Sequence, residues 1–301
     1  MRSLLIGADG QVGRALLGRL AAHGEVVATT RSGRLPDGSA CLALDVCDPA
    51  AIRAAVGGSA ADLVVNAAAY TAVDLAEQQA ELAFAVNAAA PEVLARACAQ
   101  RSVQFVHLST DYVFPGTGSR PLQEDDPVGP LSVYGASKLA GEHAVRAAGG
   151  RCKIFRLSWV YSPHCKNFLL TVLRLAATRP ELRMVADQCG APTPAAWVAE
   201  AIVRAVVTQP ERSGTWHLAS SGQTSWHGFA QQIVDEALRV GILARPISVC
   251  AIRTADYPVA AVRPAYSVLD GARFEQDFGF RLPDWTVGVP EVVGALLESA
   301  P

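Results

Sequence analysis

The 301-residue sequence contains few lysines, few methionines and no cysteine motif. Only three of its 26 basic residues are lysines, two residues are methionines, and seven cysteines are scattered without a CxxC pair. Isolated thiols without a paired framework are typical of a reducing compartment. The sequence therefore predicts a cytoplasmic protein and argues against a disulfide scaffold.

The sequence also shows no strong charge imbalance, and we expect no leader segment. The net charge is −2, and both signs are dispersed along the sequence. The composition therefore argues against nucleic acid and anionic membranes as partners. The first apolar run is too short for a signal peptide, and we expect no membrane-spanning segment. Half of the residues are apolar, which is enough for a large core.

Alternating strand and helix patterns predict an α/β fold. Strands are expected at 3–6, 25–29, 41–44, 63–65, 103–108 and 153–157, with helical patterns between them. This order predicts a doubly wound, Rossmann-like parallel sheet in a cofactor-binding domain of residues 1–158. Residues 159–301 are expected to form mainly a smaller α+β substrate lobe. Elements between about 195 and 240 are candidates to pack back onto the first domain.

A glycine turn follows the first predicted strand and opens the first helix. It reads Gly7-Ala-Asp-Gly10-Gln-Val-Gly13. Gly7 permits the tight turn, Gly10 lets backbone N–H groups approach a pyrophosphate, and Gly13 lets helix and strand pack closely. The sequence thus predicts a dinucleotide site that includes Gly7, Gly10, Gln11 and Val12.

The ends of the next strands predict the rest of the cofactor site. An acidic residue after the second strand would bind a ribose 2′-hydroxyl, whereas Arg31 suits a 2′-phosphate. Residues 30–34 contain no acid, so NADPH is favoured and NADH is the alternative. Asp45 and Val46 are expected at the adenine end. Small residues after the fourth strand would leave room beside the cofactor: Ala67, Ala68 and Ala69.

Tyr134 and Lys138 are spaced by one helical turn and predict the acid–base group. An ammonium beside a phenol, whose ordinary pKa is about 10, should favour the phenolate and ease proton exchange. Random placement of six tyrosines and three lysines would give about 0.06 such pairs. Thr110 follows the fifth strand, at the sheet edge where α/β proteins bind ligands. Together these residues predict hydroxyl–carbonyl chemistry.

Two further segments are distinctive: Ser109-Thr-Asp-Tyr-Val-Phe-Pro-Gly116 and Asp187-Gln-Cys-Gly-Ala-Pro-Thr193. With them, nearly the whole chain resembles the extended short-chain dehydrogenases/reductases, and within these the dTDP-4-dehydrorhamnose reductases. The resemblance implies NADPH-dependent reduction of the C4 keto group of dTDP-4-dehydro-β-L-rhamnose to dTDP-L-rhamnose. It also implies that Tyr134 donates the proton, Lys138 holds the nicotinamide ribose and Thr110 hydrogen-bonds the carbonyl oxygen.

The resemblance further implies a substrate pocket and a subunit arrangement. Arg263 would pair with the nucleotide diphosphate. Some members of the family form a magnesium-bridged dimer through a carboxylate early in the first helix, where this chain has Ala15. Because alanine cannot ligate magnesium, we expect no metal, and any homodimer would lack that bridge. The other residues implied to contact the sugar, beside Thr110 and Tyr134, are Thr71, Val73, Asp111, Trp159 and Asn167.

Two alternatives use the same fold. The first is another nucleotide-sugar epimerase or dehydratase. Dehydratases usually add an acid pair beside Thr110, where this chain has only Asp111 followed by Tyr112, and epimerases usually retain NAD, whereas Arg31 favours exchangeable NADP(H). The second is a non-catalytic NADP-binding regulatory subunit of methionine adenosyltransferase type. Such a subunit could lose the acid–base residues, yet this chain has all three of them, Thr110, Tyr134 and Lys138.

Overall fold

A seven-stranded sheet forms the centre of the protein, which a computed structural model describes for residues 1–298. Six smaller strands lie outside this sheet. The strands are β1 (Ser3–Ile6), β2 (Val26–Thr30), β3 (Leu42–Ala43), β4 (Leu63–Asn66), β5 (Gln104–Thr110), β6 (Cys152–Leu157), β7 (Val160–Tyr161), β8 (Glu181–Val185), β9 (Cys189–Gly190), β10 (Thr193–Pro194), β11 (Gly214–Leu218), β12 (Thr224–Ser225) and β13 (Ser248–Ile252).

The α-helices connect and cover these strands. A short π-helix spans Ala85–Ala89, and short 3₁₀-helices span Asp111–Val113 and Thr254–Asp256. The α-helices are α1 (Gln11–Ala21), α2 (Pro49–Gly58), α3 (Val73–Ala76), α4 (Ala80–Phe84), α5 (Ala90–Ala99), α6 (Val133–Ala148), α7 (Phe168–Ala176), α8 (Ala195–Thr208), α9 (Trp226–Arg239), α10 (Ala272–Phe278) and α11 (Trp285–Glu298).

The strand order of the large sheet creates a ligand crevice. The order is β11-β6-β5-β4-β1-β2-β3, and every neighbouring pair is parallel. The chain winds outward from β1 in both directions, so the connections after β1 and β4 leave the sheet on opposite faces and open a crevice at the strands' carboxyl ends. The predicted doubly wound, Rossmann-like sheet is confirmed.

Side-chain alternation along the strands builds one apolar core on each face of the sheet. Leu5 and Val65 belong to the core under α1, α8 and α10, whereas Leu4 and Val64 belong to the core under α2, α5 and α6. These four side chains are fully buried. Strands covered on both faces read as continuous apolar runs, which is why the sequence predicted them so clearly.

A third core lies in the C-terminal part of the chain. Helices α7, α9 and α11 pack around Phe229 and Leu169, next to the parallel β8–β13 pair. Residues 195–218 pack on the large sheet instead, because α8 contacts α1 and β11 pairs with β6. The domain boundary at residue 158 stays a prediction.

Two sequence-based expectations differ from the structure, one in this core and one in the first half of the chain. Strands β8 and β13 were not predicted, because they are half exposed and pair with each other across more than sixty residues of sequence. The helical stretch Ala80–Ala99 is long and apolar enough to cross a membrane by length and composition, although we expected no such run. Core helices also pass this test, and Leu94 and Cys98 of the stretch are buried against the sheet.

Glycine at position 13 is required by the packing of α1 on β1. A Cβ there would lie 2.0 Å from the Gly7 carbonyl oxygen, a backbone atom that cannot move aside. We expect Gly13→Ala to destabilise the fold by about 1 to 3 kcal/mol or more, measured by urea unfolding. Gly18→Ala on the same helix meets nothing within 4 Å and should stabilise it by about 1 kcal/mol. Equal stabilities for the two variants would contradict this account.

Candidate active site

A cavity of about 850 Å³ lies at the carboxyl ends of the large sheet. Residues from both halves of the chain line it. Among the described residues, every predicted site residue except Arg263 belongs to this lining. The predicted residues that line it are Gly7, Gly10, Gln11, Val12, Arg31, Asp45, Val46, Ala67, Ala68, Ala69, Thr71, Val73, Thr110, Asp111, Tyr134, Lys138, Trp159 and Asn167.

The glycine turn forms one end of the cavity. Gly7 has a φ of +78°, and a Cβ there would lie 2.8 Å from the backbone nitrogen of Ala68. Gly10 precedes α1, whose first turn carries no acidic residue. Gln11 accepts a hydrogen bond from Ser162 at 3.0 Å, which connects this turn to the second half of the chain. Bare backbone at a helix N-terminus suits the close approach of a phosphate group.

Arg31 and Asp45 line the same cavity as the glycine turn, but they differ in whether their charge has a partner. Arg31 is exposed, and none of the ion pairs found in residues 1–298 involves it, so its guanidinium is free to bind an anion. The Asp45 carboxylate accepts a hydrogen bond from the Cys47 backbone at 2.8 Å and thereby shapes its own loop. The exposed cation is the feature that suits a 2′-phosphate.

Helix α6 places Tyr134 and Lys138 against the end of β5. The Ser132 side chain caps the helix by accepting a hydrogen bond from the Gly135 N–H at 3.2 Å. Lys138 is 2% exposed, and its Nζ donates to the Leu108 carbonyl at 2.5 Å. Burial lowers the pKa of Lys138 to about 8, against the opposing effect of the nearby Glu142 charge.

The expected lowering of the pKa of Tyr134 is wrong in this structure. Burial raises the pKa of Tyr134 to about 12, although a hydrogen bond with Thr110 favours the phenolate. The Lys138 ammonium is bonded to the Leu108 carbonyl and does not offset the burial. Tyr134 is therefore a protonated phenol at neutral pH, which is the form that can donate a proton.

Asp111 follows Thr110 and lies inside the protein. It is 2% exposed and accepts hydrogen bonds from Thr110 at 2.9 Å and from Ser158 at 3.1 Å. Burial raises the pKa of Asp111 to about 6, although hydrogen bonds from Ser267, Thr110 and Ser158 oppose the rise. A carboxyl group that titrates near neutrality beside the acid–base residues is a candidate for proton transfer.

Asn87 is a site-supporting residue that the sequence did not reveal. Its side chain accepts from the Tyr70 N–H at 2.8 Å and donates to the Tyr70 carbonyl at 3.0 Å and to Ser137 at 3.0 Å. It thus joins the loop after β4 to α6, and both of these elements line the cavity. A buried asparagine within an alanine-rich helix was the only available signal.

Two predicted substrate residues also have structural roles. Trp159 has a φ of +44° and stacks on Trp226 with ring centroids 3.5 Å apart. A Cβ on Gly190 would lie 2.4 Å from the Trp159 ring, so this glycine makes room for the indole. Asn167 caps α7 by accepting from the Leu170 N–H at 3.1 Å. Trp226 also lines the cavity and was not predicted there.

Arg263 does not line the cavity. Its guanidinium forms a two-point hydrogen-bonded ion pair with Asp74, at 3.0 and 2.6 Å. The Asp74 carboxylate also accepts from the Ala261 N–H, and the Arg263 hydrogen bond holds the pKa of Asp74 below its ordinary value. The pairing of Arg263 with a nucleotide diphosphate stays a prediction, and it would require Arg263 to share or leave Asp74.

A buried ion pair holds α6 against the sheet. The Glu142 carboxylate is fully buried and accepts two hydrogen bonds from Arg156, at 2.9 and 2.8 Å, and one from Ser109 at 2.6 Å. Arg146 adds a bond at 2.7 Å. Burial alone would raise the pKa of Glu142, but these partners hold it below its ordinary value. Ser109 precedes Thr110 on β5, and Glu142 lies on α6 with Tyr134 and Lys138. The network therefore connects the two elements that carry these three residues.

Fold and site together define an NAD(P)H-dependent oxidoreductase of the extended short-chain dehydrogenase/reductase class. The family model described as "RmlD substrate binding domain" matches residues 1–298. The chain is 45% identical to a dTDP-4-dehydrorhamnose reductase of Burkholderia thailandensis, over 99% of this chain and 100% of that protein. It is 41% identical to that of Salmonella typhimurium, over 97% of each chain. The chain belongs to the dTDP-4-dehydrorhamnose reductase family, whose members act on a nucleotide sugar.

Solved structures agree with this assignment. A dTDP-4-dehydrorhamnose reductase of Clostridium acetobutylicum superposes with a TM-score of 0.89 at 34% identity, covering 99% of this chain and 100% of that one. That of Bacillus anthracis, solved in complex with NADP, gives 0.89 at 29% identity, with 98% and 99% covered. A Thermus thermophilus UDP-glucose 4-epimerase at 21% identity, with a TM-score of 0.79, covers both chains fully and shows a shared fold only.

We expect Glu142→Gln to cost about 3 to 5 kcal/mol of unfolding free energy, because Arg156 would be left buried without its full counter-charge. Glu92→Gln removes an exposed ion pair with Arg96 and should cost about 0.5 kcal/mol or less. Urea unfolding of both variants measures the difference. An equally small cost for both would show that the buried pair does not stabilise the fold.

Proposed function

We propose that this protein reduces the C4 ketone of dTDP-4-dehydro-β-L-rhamnose to dTDP-L-rhamnose with NADPH. The observation that carries the proposal is the convergence of Thr110, Tyr134 and Lys138 on one cavity that also contains the glycine turn and Arg31. Membership in the reductase family favours this reaction over epimerisation, dehydration or a regulatory role.

In the proposed mechanism, Tyr134 protonates the sugar oxygen. The bound nicotinamide would supply the hydride. Tyr134 holds its proton at neutral pH because burial raises its pKa, so it is ready to neutralise an alkoxide. The Thr110 hydroxyl would hydrogen-bond the same oxygen as negative charge develops there. Lys138, with a pKa near 8, would remain mostly cationic at pH 7 and bind the nicotinamide ribose.

The cofactor fits the residues present. Side chains at Gly7 and Gly13 would collide with backbone, so this turn is kept bare where a pyrophosphate would pass. Arg31 offers a free cation for the 2′-phosphate, and the related protein from Bacillus anthracis is a complex with NADP. The adenine end would contact Asp45 and Val46. We therefore propose NADPH as the preferred cofactor, with NADH as the weaker alternative.

The sugar would occupy the end of the cavity near the second half of the chain. Thr71, Val73, Asp111, Trp159 and Asn167 line the cavity together with the proposed acid–base residues. Trp159 is held rigid by its stack on Trp226, so it can form a fixed wall for a sugar ring. Arg263 is proposed to reach the diphosphate from the rim, where it is only partly exposed.

We also propose a cytoplasmic location. The support is that all seven cysteines are free thiols in the described chain, as expected in a reducing compartment. We propose that any homodimer forms without a magnesium bridge, because Ala15 stands where some family members have a carboxylate.

The acid role of Tyr134 is tested with Tyr134→Phe. Removing the phenolic proton should lower kcat by about 10²- to 10⁴-fold, the usual size of a general-acid contribution. Loss of NADPH absorbance with enzymatically prepared dTDP-4-dehydrorhamnose is the assay. Tyr257→Phe removes the hydroxyl of an exposed tyrosine outside the cavity and should not change the rate. Full activity in Tyr134→Phe would rule out the mechanism.

Cofactor preference is tested with Arg31→Asp. Because one charge-assisted contact to the 2′-phosphate is lost and an acid for the ribose is gained, kcat/KM with NADPH should fall about 10- to 100-fold relative to NADH. Arg53→Asp, on the exposed side of α2, is the matched control and should leave the ratio unchanged. An unchanged ratio in Arg31→Asp would show that Arg31 does not select the cofactor.

A further inference from the structure

We propose that Asp111 is the proton reservoir of the active site and re-protonates Tyr134 through the Thr110 hydroxyl. This inference rests on the proposed function, because it adds the step that prepares Tyr134 for the next turnover. It assigns Asp111 a role in proton transfer, beyond contact with the sugar. The argument comes from the position of three oxygen-bearing side chains at the end of β5 and the start of α6.

Burial stabilises the neutral form of Asp111, against the hydrogen bonds that favour its carboxylate. Asp111 is 2% exposed, yet no ion pair found in residues 1–298 includes it. Its two carboxyl oxygens are hydrogen-bonded separately, Oδ1 by Thr110 and Oδ2 by Ser158. A buried carboxylate without a cationic partner is costly, so burial raises the pKa of Asp111 to about 6. The group can therefore gain and lose a proton in the physiological range.

Thr110 connects Asp111 to Tyr134 and has only one proton to give. Its Oγ1 lies 2.9 Å from Asp111 Oδ1 and accepts from the Tyr112 N–H at 3.2 Å. Thr110 and Tyr134 line the same cavity, and the interaction of Tyr134 with Thr110 favours its phenolate. When Asp111 is ionised, it competes for the Thr110 proton. When Asp111 is protonated, it donates to Thr110, whose own proton is then free for Tyr134.

The proton-transfer step balances without any further reactant. After Tyr134 has protonated the sugar alkoxide, its phenolate takes the Thr110 hydroxyl proton, and Thr110 takes the carboxyl proton of Asp111. One O–H bond breaks and one forms at each transfer, which leaves neutral Tyr134, neutral Thr110 and ionised Asp111. Asp111 lines the cavity, so it regains its proton from water when the product leaves. The net result is one solvent proton consumed per ketone reduced.

The other ionisable groups near Asp111 titrate elsewhere. Tyr112 on its own segment and Tyr134 on α6 both have a raised pKa because of burial. Beyond Tyr112, the hydrogen-bonded pair of Asp74 and Arg263 lowers the pKa of the acid and raises that of the base. On the other side of Tyr134, the pKa of Lys138 is about 8. None of these five groups titrates near pH 6, so a decline there that Asp111→Asn removes is assigned to Asp111.

The experiment measures kcat between pH 5 and 9 for wild-type protein and Asp111→Asn. Since the protonated form is the active one, wild-type kcat should decline as pH rises through about 6, with a separate decline near 8 from Lys138. Asparagine keeps the shape but cannot carry the proton, so kcat at pH 6 should fall about tenfold or more and the lower decline should disappear.

Ser158→Ala provides a second readout that does not require removal of Asp111. It deletes one hydrogen bond that stabilises the carboxylate, so the lower decline should move upward by about half to one pH unit. Ser220→Ala is the matched control: this serine is also buried, 2% exposed, and its hydroxyl has no partner among the described residues. It should leave the decline in place.

The outcomes separate this inference from the proposed function. An active wild-type enzyme whose Asp111→Asn variant keeps the decline near pH 6 would overturn the inference alone, as would a Ser158→Ala profile identical to wild type. A purely structural or substrate-binding Asp111 would raise KM or lower stability without changing the shape of the profile. Wild-type protein that does not oxidise NADPH with this sugar would overturn the proposed function and the inference together.

Discussion

The buried carboxylate of Glu142 sets the geometry on which the rest of the site depends. It bonds α6 to β5 through Ser109 and to β6 through Arg156, and these are the elements that present Tyr134, Lys138 and Thr110. A buried charge of this kind holds its position only if each partner is in place, because an unpaired one would be strongly unfavourable. The proposed acid–base residues therefore lie on elements that this hydrogen-bonded ion pair joins.

The burial that makes this ion pair necessary also shifts the pKa values of Tyr134, Lys138 and Asp111. Burial raises the pKa of Tyr134 to about 12, lowers that of Lys138 to about 8 and raises that of Asp111 to about 6. The phenol stays protonated, the ammonium stays charged near neutrality, and the carboxyl can exchange its proton with water. One physical cause, removal from solvent, thus shifts three pKa values in the directions that the proposed roles require.

Much of the first half of the fold was predictable, and less of the second. Strands such as β1 and β4 are buried on both faces and therefore appear as short, nearly continuous apolar runs. Strands β8 and β13 are half exposed, and they pair across more than sixty residues, so their pairing had no local signal. For the site, the glycine turn, the strand ends and the tyrosine–lysine spacing predicted the cofactor and acid–base residues, whereas the resemblance to a known family supplied the substrate residues. Asn87 was missed because an asparagine in an alanine-rich helix has no distinctive sequence context.

By itself, the sequence determined the features that depend on neighbouring residues. These are the glycine turn, the one-turn spacing of Tyr134 and Lys138, and the Ser132 cap that begins their helix. Only the tertiary structure decided that Lys138 bonds the Leu108 carbonyl and that Arg263 pairs with Asp74, 189 positions away. The physical reason is the distance along the sequence over which each kind of interaction acts. Backbone geometry follows from local residue types, whereas burial and the partner of each charge depend on how distant segments are brought together.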